Sequence, residues 1–141
     1  MMQKEKQEEY MQSESHAMMK KNSDRFFGQK QLESVIISDS VTQIEPSAFY
    51  NCTGLTEVML PASVTVIEGY AFKNCTGLLH ITIPNSITLI EWYAFSGCKS
   101  LTYIIYRGTK KEWKSIPKGM HWDSGTGNYT VICTDGTIPK R

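Results

Sequence analysis

The chain repeats itself at a fixed interval of 23 residues. Residues 32–54 read LESVIISDSVTQIEPSAFYNCTG, residues 55–77 read LTEVMLPASVTVIEGYAFKNCTG, and residues 78–100 read LLHITIPNSITLIEWYAFSGCKS. A partial copy occupies 101–106, after which the pattern changes. Self-similarity at this period is the signature of a solenoid. One coil alone cannot bury its own Leu, Ile, Val and Phe side chains. Stacking identical coils in register, about 4.8 Å apart, turns each repeated position into a continuous column and buries it.

The copied positions specify backbone as well as core. Leu55, Val58 and Leu60 precede Pro61; Leu32, Val35 and Ile37, Leu78, Ile81 and Ile83, and Leu101, Ile104 and Tyr106 correspond. The alternation at the end of each set predicts a strand. Pro61 and Pro84 end it, because proline brings no ladder donor. A second β-branched pair (Val41 and Ile44, Val64 and Ile67, Ile87 and Ile90) predicts another short extended segment. Ala-Phe at 48–49, 71–72 and 94–95, with Cys three residues later, fits one helical or 3₁₀ turn. Asn51, Asn74 and Gly97 share a column and tolerate positive φ, which predicts a left-handed turn. Gly54 and Gly77 fit the turn into the next strand. The expected fold is a short α/β repeat solenoid with coils of strand, second short strand and helical turn.

The flanks differ. Residues 1–25 are polar and of mixed charge, and Lys4, Glu5, Lys6, Glu8 and Glu9 favour a polar N-terminal helix or a disordered segment. Phe26 lies six residues before Leu32, as Phe49 lies before Leu55 and Phe72 before Leu78. It therefore closes a decayed earlier repeat, and the solenoid is expected over 26–106. Residues 107–141 form a different unit, a C-terminal cap. Thr109 with Glu112 reads as a capping box opening a helix that places Trp113 and Ile116 on one face. Pro117 and Gly119 end the helix, and Val131, Cys133 and Asp135-Gly136 predict a strand and tight turn.

The unit L-x-x-I-x-I-P-x-S-V-T-x-I-E-x-x-A-F-x-x-C resembles the BspA-type leucine-rich repeat, with Ser38 standing where Pro61 and Pro84 stand. The segment with Gly108-Thr109-Lys110, Trp113, Trp122 and Val131-x-Cys133-x-Asp135-Gly136 is similar to the segment that closes such arrays, and the resemblance implies the expectation that any missing part of a longer protein lies before Met1. The resemblance implies a right-handed leucine-rich solenoid, a bacterial cell-surface or secreted protein, a role in adhesion and no enzymatic activity.

Composition adds exclusions. The net charge is +1, so the chain as a whole gives no charge-driven reason to bind nucleic acid or membrane. The sign is uneven: residues 26–100 carry six acids against three lysines, and residues 101–141 carry seven bases against three acids, a mildly basic end. No run of about 18 apolar residues exists, so no membrane insertion is expected, and the N-terminus has no secretory signal. Cys52, Cys75 and Cys98 stand one per coil with no Cys-x-x-Cys pair, which reads as buried small hydrophobes rather than metal ligands. A disulfide between adjacent coils would leave an odd thiol. His16, His80 and His121 are scattered, and no spacing pairs one with Cys133 as base and nucleophile. Glu45, Glu68 and Glu91 form an acidic column that reads either as water-screened carboxylates or as a cation site. No cofactor and no metal are expected.

What remains is the outward face of the first strand. If Val58 and Leu60 point inward, the intervening positions point out. These are Ser34 and Ile36, Glu57 and Met59, His80 and Thr82, Tyr103 and Ile105. Three of them are apolar on a face that should meet water, which reads either as an interface for a protein partner or as scattered surface hydrophobes covered by a neighbouring segment. The expectation is a monomeric, non-enzymatic binding or adhesion module; the alternative is a spacer or capping fragment of a longer surface protein.

Overall fold

The structure, a computed structural model, describes residues 15–140. Its strands, in chain order, are β1 (His16–Met19), β2 (Ser34–Ile37), β3 (Gln43–Ile44), β4 (Glu57–Met59), β5 (Val66–Ile67), β6 (His80–Ile83), β7 (Leu89–Ile90), β8 (Tyr103–Tyr106), β9 (Thr130–Cys133) and β10 (Gly136–Pro139), with one helix, α1 (Lys110–Ser115), between β8 and β9. They build a β-solenoid. One side carries the parallel pairs β4–β6, β6–β8 and β8–β9, closed by β10 antiparallel to β9. A second side carries β3, β5 and β7 in parallel. The strand column expected from alternation and the second one expected from the β-branched pairs are thus both present.

The repeated positions are the core. Leu55, Val58, Leu60, Val64, Ile67, Ala71, Phe72 and Cys75 are all buried, and so are their equivalents in the coils on either side. The phenylalanines stack as a column: Phe26 on Phe49 at 5.5 Å between centroids, Phe49 on Phe72 at 5.1 Å, Phe72 on Phe95 at 5.2 Å. Phe26 therefore does close the first layer.

The corner that follows the second strand is not a helical or 3₁₀ turn. It is a series of tight turns with a regular division of labour. The N–H groups of Ser47, Phe49 and Asn51 donate to carbonyls of the next coil, at Gly69, Ala71 and Lys73 (3.0, 2.8 and 2.9 Å). Those of Ala48, Tyr50 and Cys52 donate three residues back within their own coil (each 3.1 Å). A helix needs every N–H for its own ladder; here each second one is given to the neighbour. The bend this requires shows in φ: Asn51 and Asn74 stand at +60° and Gly97 at +80°, as their column predicted. Gly54 and Gly77 serve differently, by close approach. A Cβ on either would stand 2.6 Å from the Lys30 or Thr53 carbonyl oxygen of the preceding coil.

The N-terminal expectation is corrected. Within 1–25, residues 16–19 are neither helix nor disordered but the strand β1, parallel to β2 with Met19 opposite Ile37; residues 1–14 lie outside the described residues. Lys and Glu favour helix weakly, and a free strand edge with a core position for Met19, fully buried, outweighs that preference. The first coil thus begins before residue 26. It is shortened: the strand offset to the next coil is 18 residues, while the Phe offset is 23. No second strand fits in the gap. Asn22 stands in for it, its Oδ1 accepting from Thr42 N (2.8 Å) and its Nδ2 donating to Thr42 Oγ1 (2.9 Å). In later coils Thr65 and Thr88 N–H groups find the backbone carbonyls of Thr42 and Thr65 instead.

The opposite end is closed by the cap. Thr109 and Glu112 form the expected capping box, and Trp113 and Ile116 are both buried. Past the helix, Pro117 and Gly119 bond Ile90 of the β7 edge, and the Trp122 carbonyl takes the Phe95 N–H. Lys118 Nζ donates to the Ile116 carbonyl (3.0 Å) past the end of α1 and to the Trp113 carbonyl (2.8 Å), which also accepts the Ile116 N–H, with the Trp113 ring 4.4 Å away.

Candidate functional site

Strand alternation turns Ser34, Ile36, Glu57, Met59, His80, Thr82, Tyr103 and Ile105 away from the core, and register assembles them into two columns. One runs His16, Ser34, then Glu57, His80, Tyr103 and Thr130; the other runs Met18, Ile36, then Met59, Thr82, Ile105 and Ile132. Met59 (58 %), Ile36 (42 %) and Tyr103 (40 %) are the open ones, Glu57 is also exposed, and Ser34, His80 and Ile105 are half-buried. Thr82 differs from expectation. It is buried, at 6 %, because its short side chain lies between the longer Met59 and Ile105 and forms a notch in the ridge. The His80 ring leans on Tyr103 at 5.4 Å, and His16 Nδ1 lies 2.6 Å from Ser34 Oγ.

Sequence reasoning missed Met18 and Ile132, which extend the apolar column at both ends. The signal was present in each case: Ile132 sits between two inward residues, and Met18 precedes a Met that is itself a core position.

The face is interrupted once. β2 and β4 sit in adjacent coils but belong to separate sheets. Pro61 has no N–H for the Ile37 carbonyl, whereas Arg107, two coils on, donates to Ile83 O at 3.0 Å; Pro84 lacks the same donor at the next junction, where β4 and β6 still pair, so the missing donor alone does not set the seam. The seam opens into a shallow cleft of about 470 Å³ lined by Val35, Ile37, Met59 and Leu60, with Asp39 and Arg107 also contributing.

The remaining candidates have structural explanations. Cys52, Cys75, Cys98 and Cys133 are free and buried. The first three thiols donate to the Phe26, Phe49 and Phe72 carbonyls at 3.0, 3.0 and 3.1 Å. Burial pushes the Cys52 thiol up to about 12, and raises Cys133 as well. His80 faces outward while Cys133 faces the core, and His121 Nδ1 lies 3.0 Å from Ser124 Oγ within its own turn. Glu45, Glu68 and Glu91 are half-buried along one column, with Gln43 Nε2 donating to Glu45. Burial, then the charges of Glu91 and Glu45, raise the Glu68 carboxyl. Among the described residues no three His, Cys, Asp or Glu side chains converge to hold a metal ion, and no helix is long and apolar enough to cross a membrane.

Comparison with known proteins follows the same lines. The BspA type leucine rich repeat region matches residues 20–130 in six copies. A leucine rich cell surface protein from Faecalibacterium prausnitzii A2-165 superposes with a TM-score of 0.66 and 31 % identity over 72 % of this chain and 29 % of its own. A leucine-rich repeat protein from Bacteroides ovatus ATCC 8483 does so with a TM-score of 0.61 and 26 % identity over 83 % of this chain and 28 % of its own. The chain therefore spans less than a third of either solved protein. No curated protein matches it. Six profile copies over most of the length, on a solenoid whose repeated positions are its core, place the chain in the BspA-type leucine-rich repeat family.

Proposed function

We propose that the chain is a non-enzymatic binding module that engages a protein partner at a cell surface through the outward face of its first strands. The observation that carries this reading is the apolar row of Met18 and Ile36 on β1 and β2 and of Met59, Ile105 and Ile132 on β4, β8 and β9, in register within each sheet of the solenoid. None of these five is fully buried, and exposed apolar surface of this kind marks interaction sites. The Thr82 notch gives a partner side chain a place to seat between Met59 and Ile105. The cell-surface protein from Faecalibacterium prausnitzii supports the setting.

The spacer reading is supported by a different observation, the small share of each solved relative that the chain spans. A pull-down of surface proteins with the immobilised chain separates the two. Introducing Met59→Glu and Tyr103→Glu together should abolish capture while the thermal melt stays unchanged, since both side chains are exposed. Capture that survives the double substitution, or a wild-type chain that retains nothing, rejects the strand face as the binding site.

A further inference from the structure

The corner turns carry an outer aromatic row that the core does not require. Phe27 stacks on Tyr50 at 5.0 Å, Tyr70 on Tyr93 at 5.3 Å, and the Tyr93 ring lies 5.2 Å from that of His121. Two observations single out its centre. Tyr70 and Tyr93 stand at φ +59° and +57°, a left-handed conformation that costs a bulky residue on the order of 1 kcal/mol and that Gly or Asn adopts more easily. Ser47 and His121 share that column and that φ, so the fold demands the conformation but not the phenol rings. Second, the Trp92 indole packs over Gly69 of the preceding coil, its Cε2 and Nε1 at ordinary contact distance (3.6 and 3.7 Å) from where a Cβ on Gly69 would stand. The indole lies against this bare stretch of the preceding coil at 66° to Tyr70 and 71° to Tyr93, and it is 46 % exposed. Trp92 thus leaves nearly half of its surface to solvent and stands at a steep angle to two neighbouring tyrosine rings. Glu91 directly precedes it, Glu68 precedes Gly69, and the Lys73 ammonium lies 5.2 and 5.4 Å from the Tyr70 and Tyr93 centroids.

We propose that this corner is a saccharide-binding platform: the Trp92 face stacks on the C–H face of a pyranose ring while the Glu68 and Glu91 carboxylates and the Tyr70 and Tyr93 hydroxyls bond its hydroxyl groups. A ligand for this surface needs an apolar face and a polar rim, because a purely apolar one would desolvate the carboxylates. A cationic one is disfavoured by Lys73, which already occupies the neighbourhood of both phenol rings. Since the aromatic row follows the stacking axis, a linear glycan fits it better than a single sugar. The site is separate from the strand face and does not depend on it.

The full chain carries its own reporter. Trp113 is buried and Trp122 half-buried, which leaves Trp92 as the exposed indole. Titration with a panel of linear neutral hexasaccharides (gluco-, manno-, xylo- and N-acetylglucosamine types), followed by tryptophan emission and calorimetry, should show binding with a blue shift for at least one. Trp92→Ala should weaken that binding about tenfold. Tyr70→Asn should weaken it without lowering the thermal midpoint, because Asn suits the positive φ. Met59→Glu with Tyr103→Glu should leave it unchanged. Absence of binding across the panel, binding of choline chloride in place of sugar, or a Trp92→Ala chain that binds as the wild type does, overturns the proposal.

Discussion

Each repeated residue has a single task, and the fold depends on the largest of them. Phe72 is fully buried between two rings, so Phe72→Ala opens a void in the centre of the column; a cost of about 3–5 kcal/mol is expected in a denaturant melt. The thiols act through their protons. An unfolded Cys52 releases its proton near the ordinary value of 9.0, while the folded one holds it to about 12. The unfolded chain then binds fewer protons, so stability should fall as pH climbs from 9 toward 12, and thiol reagents should react only after unfolding. A Cys52→Ala chain should lose part of that pH slope. These roles were legible because column positions repeat the same residue types. The left-handed column of Ser47, Tyr70, Tyr93 and His121 was not, because its residues share no side-chain chemistry and only the backbone shows what they have in common.

At the level of elements, the strands were readable from alternation and the cap helix from Thr109 and Glu112, but the corner and the first strand were not. Hydrogen bonds between coils are invisible to local propensity, and the corner is built half from them. β1 was hidden by its charged surroundings and by the five residues missing between it and Phe26. The device that compensates for those residues is testable. Asn22→Ala removes both bonds to Thr42 and leaves the start of the β3 column unsatisfied. A loss of about 1 kcal/mol is expected, with faster hydrogen exchange at the Thr42 amide and unchanged exchange at Thr88. Equal acceleration at both amides would mean that Asn22 supports the whole stack rather than its edge.

For the whole molecule, repetition makes interior coils interchangeable. Deleting 55–77 joins Gly54 to Leu78 and sets Phe49 against Phe95 with every column preserved. This chain should still unfold cooperatively, with reduced stability, by circular dichroism. Deleting 55–76 instead shifts the following strand by one residue and turns its inward side chains outward, so the cooperative transition should disappear. If both deletions behave alike, register is not what holds the coils together. The solenoid was the most legible property of the sequence, since a period needs no tertiary information. The binding surfaces were half legible: alternation identified the strand face, but the burial of Thr82 and the reach to Met18 and Ile132 depend on neighbours that only stacking supplies.

The seam between β2 and β4 has a mechanical meaning. Tension along the axis is carried from coil to coil by backbone hydrogen bonds on both sides of the stack. At every other junction from β4 to β9 the first side contributes a paired ladder; between β2 and β4 it is missing, and the load falls on β3–β5 and the corner turns. Pulled from its ends, the solenoid yields there first, beside Ile36 and Met59, so force on a tethered chain would reshape the apolar ridge before it unravelled the rest.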